Sequence, residues 1–350
     1  ADPCEQDYSI NAVKPATYFL FKDRERLTRE GITPRERERL INDVRNYTRV
    51  SISEAASFQI DSDERTDCMK AANGVRTCTR EQEYQNFANW YQYHRFRHLL
   101  AVGAVSEAFA RQVGSDVRVG YGRINKGSTS VDGRDTDVVE RGVRRFQGAD
   151  KDSFFNWLQR VVHPSGGTPL LGASISVGDY FSRNDMDGPW ADQGPDGRKR
   201  MLSCRRSYHI LMTDGQYNDL KTRKFENHAG IENADGDKGP IIPASGRNAQ
   251  YQYLPSDARN KLYPSPARKT LADIAMYYWN RDLLPRLPNN VPVDGDSPSF
   301  WQNVTMYTLG FGVDGSLPAG TPEIQTRTLE RLASNELKWP ETINDDSPEV

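Results

Sequence analysis

The stretch "SYHILMTDGQYND" (207–219) decides the fold. Its first half is an apolar run that predicts a buried strand, and the run stops abruptly at Thr213-Asp214-Gly215. A second apolar run, "NVTMYTLGFGV" (303–313), predicts another buried strand. Helical patterns alternate with such strands through most of the chain. This alternation predicts an α/β domain with a largely parallel sheet and helices on both faces.

The chain divides into a peripheral layer at 1–82, an α/β domain at 83–340 and a tail at 341–350. Two stretches rich in Gly, Pro, Asp and Asn, 184–203 and 217–266, interrupt the alternation and predict surface insertions. The other predicted elements are, in chain order, a strand at 16–21, a helix from Thr33-Pro34, a strand at 47–53, one helix of about 30 residues from Glu81, strands at 116–125 and 137–146, and helices at 150–162, 166–183, 269–283 and 321–334.

Composition excludes two classes of protein. The 350 residues carry 46 basic and 48 acidic side chains, interspersed, with a net charge of −2, so no electrostatic footprint for nucleic acid is present. No apolar run approaches the roughly 18 residues that a membrane span needs. Hydrophobic residues make up 36% and the mean hydropathy is −0.76, which predicts a core that carries long polar insertions.

The four cysteines are Cys4, Cys68, Cys78 and Cys204. Cys68 and Cys78 flank the polar segment "MKAANGVRT", and a disulfide that closes this short loop is the preferred interpretation, with two free thiols as the alternative. Cys4 and Cys204 would then pair by elimination. The spacing fits no zinc pattern, and a disulfide implies an oxidising compartment, periplasm or exterior.

Asp214 and Thr168 are the candidate metal ligands. Asp214 ends a predicted strand, and Thr168 begins a helix after Gly166-Gly167, so both are expected at the carboxyl edge of the sheet. A hard cation such as Mg²⁺ prefers carboxylate, hydroxyl and water oxygens. The alternative is structural, because "TDG" is a common turn and Thr a common helix cap.

Other polar motifs give weaker signals. His94 and His98 are four residues apart on a predicted helix, but half-buried packing is favoured over zinc binding because no third ligand is suggested. "NDMDG" (184–188) and "NADGDKG" (233–239) resemble pieces of calcium loops, and solvated turns are favoured for both.

The insertions are expected to form a rim or lid over the Asp214 site and to carry partner specificity. Their aromatic residues are candidate contacts for a partner. The alternative is that they pack the insertions onto the body. The candidates are Trp190, Tyr217, Tyr251, Tyr253 and Tyr263.

Read in order, several long strings resemble the von Willebrand factor A-like region of the PilC/PilY type IV pilus biogenesis proteins. The resemblance covers about residues 64–340. The strings are "EYQNFANWYQYHRFRHLLAVGAVSEAF", "VRVGYGRIN", "GGTPLLGA", "SCRRSYHILMTDGQYND", "LADIAMYYWNRDLLPRLPNNVP" and "FWQNVTMYTLGFGVDG".

The resemblance implies a doubly wound, mostly parallel sheet flanked by helices, with a metal-ion-dependent adhesion site for Mg²⁺ or Ca²⁺. Thr168 matches the ligand of that site's second loop and Asp214 that of its third. The first loop, D-x-S-x-S after an opening strand, is not found in this sequence. Two explanations stay open: the strand and loop lie upstream of Ala1, or this chain has lost the loop. "ATYFLF" (16–21) is the candidate to fill the empty strand position.

The function that the resemblance implies is a non-enzymatic adhesion and pilus-assembly module at the bacterial surface, secreted to the periplasm, the outer membrane or the pilus tip. Its expected partners are minor pilins or the pilus tip, and a host or abiotic surface ligand. Two alternatives remain: a structural scaffold with a vestigial metal site, and a metal-dependent hydrolase with Asp214 as ligand or base.

Overall fold

The computed structural model describes residues 16–23, 25–29, 32–60, 65–160, 167–194, 196–213, 217, 222–293, 297–310 and 322–341. The chain splits into two compact units, residues 1–107 and 108–350, and each unit is described by itself. The predicted boundaries of the peripheral layer and the tail, at 82–83 and 340–341, stay predictions.

The first unit contains small antiparallel sheets and helices. Its strands are β1 (Thr17–Phe21), β2 (Tyr47–Ser51), β3 (Ser57–Ile60), β4 (Met69–Lys70) and β5 (Arg76–Thr79), and its helices are α1 (Glu25–Thr28), α2 (Pro34–Asn42), α3 (Arg80–Tyr93) and α4 (Arg97–Gln112), within which the boundary between the units falls. Strand β1 pairs with β2, and β5 lies between β3 and β4.

Local capping explains where these helices begin. The Thr33 hydroxyl accepts a hydrogen bond from the Glu36 amide at 3.2 Å, which confirms the predicted start of α2.

The single helix predicted from Glu81 is wrong, because α3 ends before His94, whose φ of −135° and ψ of 0° leave the helical region. The aromatic side chains of this turn, such as Trp90 and Tyr93, are exposed, so little packing supports a longer helix.

Two predictions in the first unit have clear outcomes. The disulfide between Cys68 and Cys78 is present, with both residues buried, so that interpretation is confirmed. The strand predicted at 16–21 also forms. Its role as a filler of the parallel sheet is wrong, because β1 pairs antiparallel with β2, and Phe19 lies opposite Arg49 in that pair.

The second unit is a mixed α/β structure. Its strands are β6 (Arg118–Gly122), β7 (Thr129–Val131), β8 (Arg134–Thr136), β9 (Val139–Arg145), β10 (Ala191–Gln193), β11 (Lys199–Met201), β12 (Tyr208–Thr213) and β13 (Thr305–Gly310), and its helices are α5 (Gly148–Arg160), α6 (Leu170–Phe181), α7 (Leu271–Trp279) and α8 (Pro322–Ala333). Three antiparallel pairs, β6–β9, β7–β8 and β10–β11, accompany one parallel pair, β12–β13.

The parallel pair has one covered face and one exposed face. Leu211 of β12 belongs to a buried cluster with Ile175 of α6 and Ile274 of α7, and Met306 of β13 packs against this cluster. Because side chains alternate along a strand, every second one points to the opposite face. The exposed apolar residues on that face are Tyr208, Ile210, Tyr307 and Leu309. Both predicted strands are therefore present, but the prediction that they are buried holds for only one face.

The described residues contain small antiparallel sheets and one parallel pair, and among them β12 and β13 form a two-stranded sheet. Both insertions carry local order. The first contains the β10–β11 hairpin, and the second contains short 3₁₀ turns at Arg223–Asn227 and Ile231–Asn233.

Candidate functional site

Thr168 lies at the entrance to helix α6. The Thr168 carbonyl accepts a hydrogen bond from the Leu170 amide at 2.9 Å, and Leu170 and Leu171 are buried, which fixes the start of the helix in the core. The Asn125 side chain donates a hydrogen bond to the carbonyl of Gly167. The backbone of Asn125 is left-handed, with a φ of 58°. Gly167, the residue directly before Thr168, is therefore held by Asn125, and Thr168 is half-buried.

Asp214 lies outside the described residues, although it directly follows β12 in the chain. The structure thus places one of the two predicted metal ligands. Among the residues that it describes, no group of three or more His, Cys, Asp or Glu side chains could hold a metal ion. The metal site stays a prediction.

A polar cluster joins the 217–266 insertion to helix α6. The Lys224 ammonium donates to the Asp137 carboxylate at 2.6 Å and to the Gly172 carbonyl at 3.1 Å, and it also contacts the Ser176 hydroxyl. Ser176 donates to Asp137 at 2.8 Å. Burial raises the pKa of Asp137, but the hydrogen bonds from Lys224 and Ser176 outweigh it, so the pKa of Asp137 lies below its usual value.

A second contact lies one helical turn further along α6. The two ring nitrogens of His228 face acceptors: Nε2 lies 2.6 Å from the Asp179 carboxylate and Nδ1 lies 2.9 Å from the Lys224 carbonyl. Tyr278 of α7 donates to the same Asp179 oxygen at 2.8 Å. The hydrogen bond to Asp179 raises the pKa of His228 against the opposing effect of burial. The arrangement suits an imidazolium that binds the insertion to the helix.

These contacts attach the insertion to the body. Ser176 and Lys224 are in contact, and both also bind the Asp137 carboxylate. The contacts could not be predicted from the sequence, because Lys224 and Asp137 are 87 positions apart. No local spacing signals such a pair.

The predicted partner-contact aromatics are mostly covered. Trp190 and Tyr253 are 1% and 0% exposed, and Tyr217 belongs to the buried cluster around Leu211. Tyr251 stacks on Trp301 with ring centroids 4.8 Å apart. Burial favours the alternative in which these residues pack the insertions onto the body, and a role in partner contact stays a prediction.

The outcomes differ for the predicted cysteine pair and for the turn predicted at 233–239. Cys204 is exposed and pairs with no cysteine among the described residues, and Cys4 lies outside them, so the pairing of Cys4 with Cys204 stays a prediction. The solvated turn predicted at 233–239 is wrong for Asp235, which is 1% exposed because the Tyr253 hydroxyl and helix α7 cover it.

The second unit is thus a mixed α/β structure whose long insertion is bound to two of its helices, and no helix in the described part of the chain is long and apolar enough to cross a membrane. The chain is similar to curated proteins named type IV pilus biogenesis factor PilY1, from Pseudomonas aeruginosa. It is 30% identical to the protein of strain PAK over 286 residues, which are 77% of this chain and 23% of that relative.

Two further relatives carry the same name. The identity is 28% over 330 residues for strain PAO1, covering 87% of this chain and 27% of the relative. It is 29% over 285 residues for strain UCBPP-PA14, covering 75% and 22%. The chain therefore spans about a quarter of the length of the curated relatives that it matches. No protein-family model matches the chain, and no solved structure matches it.

Proposed function

We propose that this chain is a binding module that serves type IV pilus biogenesis at the bacterial surface. The observation that carries the proposal is the 30% identity over 286 residues to a protein named type IV pilus biogenesis factor. Minor pilins or other components of the pilus tip are the proposed partners, together with a host or abiotic surface ligand. The disulfide between Cys68 and Cys78 supports a periplasmic or extracellular location, because disulfides persist in oxidising compartments.

The proposed architecture is a von Willebrand factor A-like, doubly wound domain. The parallel pair β12–β13 and the helices α6 and α7 on one of its faces support it. In a parallel sheet the carboxyl ends of neighbouring strands meet at one edge, which is where such folds bind ligands. Asp214 follows the end of β12 in the chain, and Thr168 precedes α6.

At this edge we propose a metal-ion-dependent adhesion site. A hydroxyl from Thr168 and a carboxylate from Asp214 are oxygen donors of the kind that Mg²⁺ and Ca²⁺ prefer. A partner carboxylate would complete the coordination shell, which makes the activity binding rather than catalysis. The partly accessible position of Thr168 is compatible with this role.

Calorimetry with Mg²⁺, Mn²⁺ and Ca²⁺ tests the metal site. The unmodified protein and Thr168→Ser, which keeps the hydroxyl, should bind the ion, whereas Asp214→Ala should not. Asp237→Ala, an exposed carboxylate in the long insertion, is the matched control and should bind as the unmodified protein does. Equal absence of binding in all four would favour a scaffold with a vestigial site.

The pilus role is tested in the source bacterium. Deletion of residues 108–341 from the chromosomal gene should reduce the amount of pilin in the sheared surface fraction, and the intact gene supplied in trans should restore it. Asp214→Ala should retain surface pili but lose attachment to host cells or an abiotic surface. Normal piliation after the deletion would contradict the biogenesis role, and normal attachment by Asp214→Ala would contradict the adhesion site.

A further inference from the structure

Two carboxyl groups are buried together where the 217–266 insertion meets helix α7. Asp235 belongs to the insertion and is 1% exposed, and Asp273 lies in the first turn of α7 and is 0% exposed. Acidic side chains are almost never fully buried unless they are paired. A pair of acids is the costliest combination, because two like charges in one dry site repel each other.

The hydrogen bonds around the pair connect the insertion to the helix. Thr270 donates from its amide and its hydroxyl to one oxygen of Asp273, both at 3.0 Å, and the Asp235 amide lies 3.4 Å from the other oxygen. Asp235 in turn accepts from the Ser265 amide at 3.2 Å, and its carbonyl accepts from the Tyr253 hydroxyl at 2.6 Å. Three separate points of the insertion therefore meet at one helix start.

The electrostatics of the pair favour a shared proton. Burial, the charge of Asp235 and a hydrogen bond between the two carboxyls together raise the pKa of Asp273 to about 7, against the opposing effect of the bonds from Thr270. The neighbouring Tyr253 is neutral, because burial and Asp235 raise its pKa. Lys269 and Glu232, which lie close by in sequence, form an ion pair of their own at 3.0 Å, with both side chains partly exposed.

We propose that Asp235 and Asp273 form a proton-held clasp, in which one proton bridges the two carboxyls and fastens the insertion to helix α7, and loss of that proton loosens the insertion. The device is separate from the proposed metal site, since neither residue neighbours Thr168 or Asp214 in sequence. It would make the conformation of the insertion depend on the pH around the cell, whatever partner the insertion meets.

The direction of the pH effect follows from linkage. The closed clasp keeps its proton up to about pH 7, whereas an opened clasp releases it near the usual aspartate pKa of 3.8. Between these values the closed state binds one more proton than the open state. Closure is therefore most stable at acidic pH, weakens as the pH rises and stops changing once the pH is above the pKa of the closed pair.

Hydrogen exchange of the insertion measures the clasp directly. The reporters are the amides of Gly239, Ile242 and Tyr251, which donate to carbonyls within the insertion at 3.0, 2.9 and 3.1 Å. After correction for intrinsic exchange, their protection should fall by about tenfold per pH unit, the limit for one proton, between pH 5 and pH 6.5. It should become constant above about pH 8.

Asp273→Asn is the decisive variant. Its amide can donate to Asp235 as the shared proton does, so protection should stay high and independent of pH from pH 5 to pH 8.5. Asp237→Asn, an exposed neighbour in the same insertion, is the matched control and should respond as the unmodified protein does. The clasp is refuted if the unmodified protein and Asp273→Asn show the same pH profile, or if Asp237→Asn also removes the response.

A second measurement covers the case in which Asp273→Asn does not fold. Infrared difference spectra of the unmodified protein between pH 5.5 and pH 8.5 should contain the carbonyl band of one protonated carboxyl, and Asp235→Asn should lack it. Absence of this band at pH 5.5 would overturn the proposal.

Discussion

Composition predicts an exposed insertion at 217–266 and buried strands β12 and β13, but the insertion contains buried side chains and the strands contain exposed ones. The insertion is rich in Gly, Pro, Asp and Asn, yet Ile231, Ile242 and Tyr253 within it are at most 1% exposed. The strands lie in apolar runs that predict burial, yet Ile210 is 52% and Tyr307 is 55% exposed.

The difference shows that composition reports the average of a segment, and that burial is decided side chain by side chain. The insertion contains few apolar residues, but Phe225 and Ile231 belong to the main buried cluster around Leu211. Ile242 and Tyr253 pack in two smaller clusters with residues of the segment before β13 and of helix α7. A strand alternates its side chains, so an entirely apolar strand places half of them on each face. Only one face of β12–β13 is covered by α6 and α7.

Trp301→Ala has the largest expected effect and tests whether the insertion is part of the core. Trp301 is 0% exposed, stacks against Tyr251 of the insertion, and donates from Nε1 to the Trp279 carbonyl at 2.8 Å. Its removal leaves a large cavity and an unpaired carbonyl, so we expect a loss of about 3–5 kcal/mol in the free energy of unfolding. Urea denaturation followed by near-UV circular dichroism measures it. A loss below about 1 kcal/mol would mean that the insertion is not part of the core.

A pair of isoleucines gives the next largest effect and a matched control. Ile242 of the insertion is 1% exposed and packs with Phe300 and Trp301, whereas Ile210 of β12 is 52% exposed. Ile242→Ala should cost about 2–4 kcal/mol of unfolding free energy, because it removes buried methyl groups. Ile210→Ala should cost less than about 1 kcal/mol, because surface substitutions change stability little. Equal costs, or the reverse order, would contradict the comparison.

Much of the local structure could be predicted from periodicity and capping signals. The start of α2 and the bounds of β9, β12 and α8 follow from such patterns to within a few residues. What failed has a tertiary cause. The break at His94 depends on the absence of packing around exposed aromatics, and the pairing of β1 with β2 depends on partners that no local pattern specifies.

The local features of the candidate site could be predicted from the sequence, and its long-range contacts could not. Thr168 at the start of a helix and a strand ending before Asp214 could be predicted, because each is a local junction between elements. The contacts that hold the insertion could not, since Asp179 and His228 are 49 positions apart. "TLAD" at 270–273 is a recognisable capping signal for α7, but nothing local indicates that Asp273 also meets Asp235.

The prediction with the smallest expected effect tests how much the polar contacts of the insertion contribute to stability beside its apolar contacts. His228→Gln removes the imidazolium that binds Asp179 of α6. Charged groups that face His228 are Asp179 from α6 and Arg281 from the end of α7, and the rings of Tyr277 and Tyr278 pack against it. Because the Asp179 carboxylate is 48% exposed, solvent screens the pair, and we expect a loss of about 1 kcal/mol at pH 5.5.

The pH dependence of this loss identifies its cause. The pKa of His228 is raised above its usual value of 6.5 in the folded protein, so the stabilisation is fully present below pH 6.5 and disappears as the pH rises through the raised pKa. The difference in unfolding free energy between the unmodified protein and His228→Gln should therefore shrink by pH 9. His94→Gln makes the same chemical change in the other compact unit and should leave the pH profile of the second unit as it is. A loss that stays constant from pH 5.5 to pH 9 would assign the effect of His228 to packing rather than to its charge.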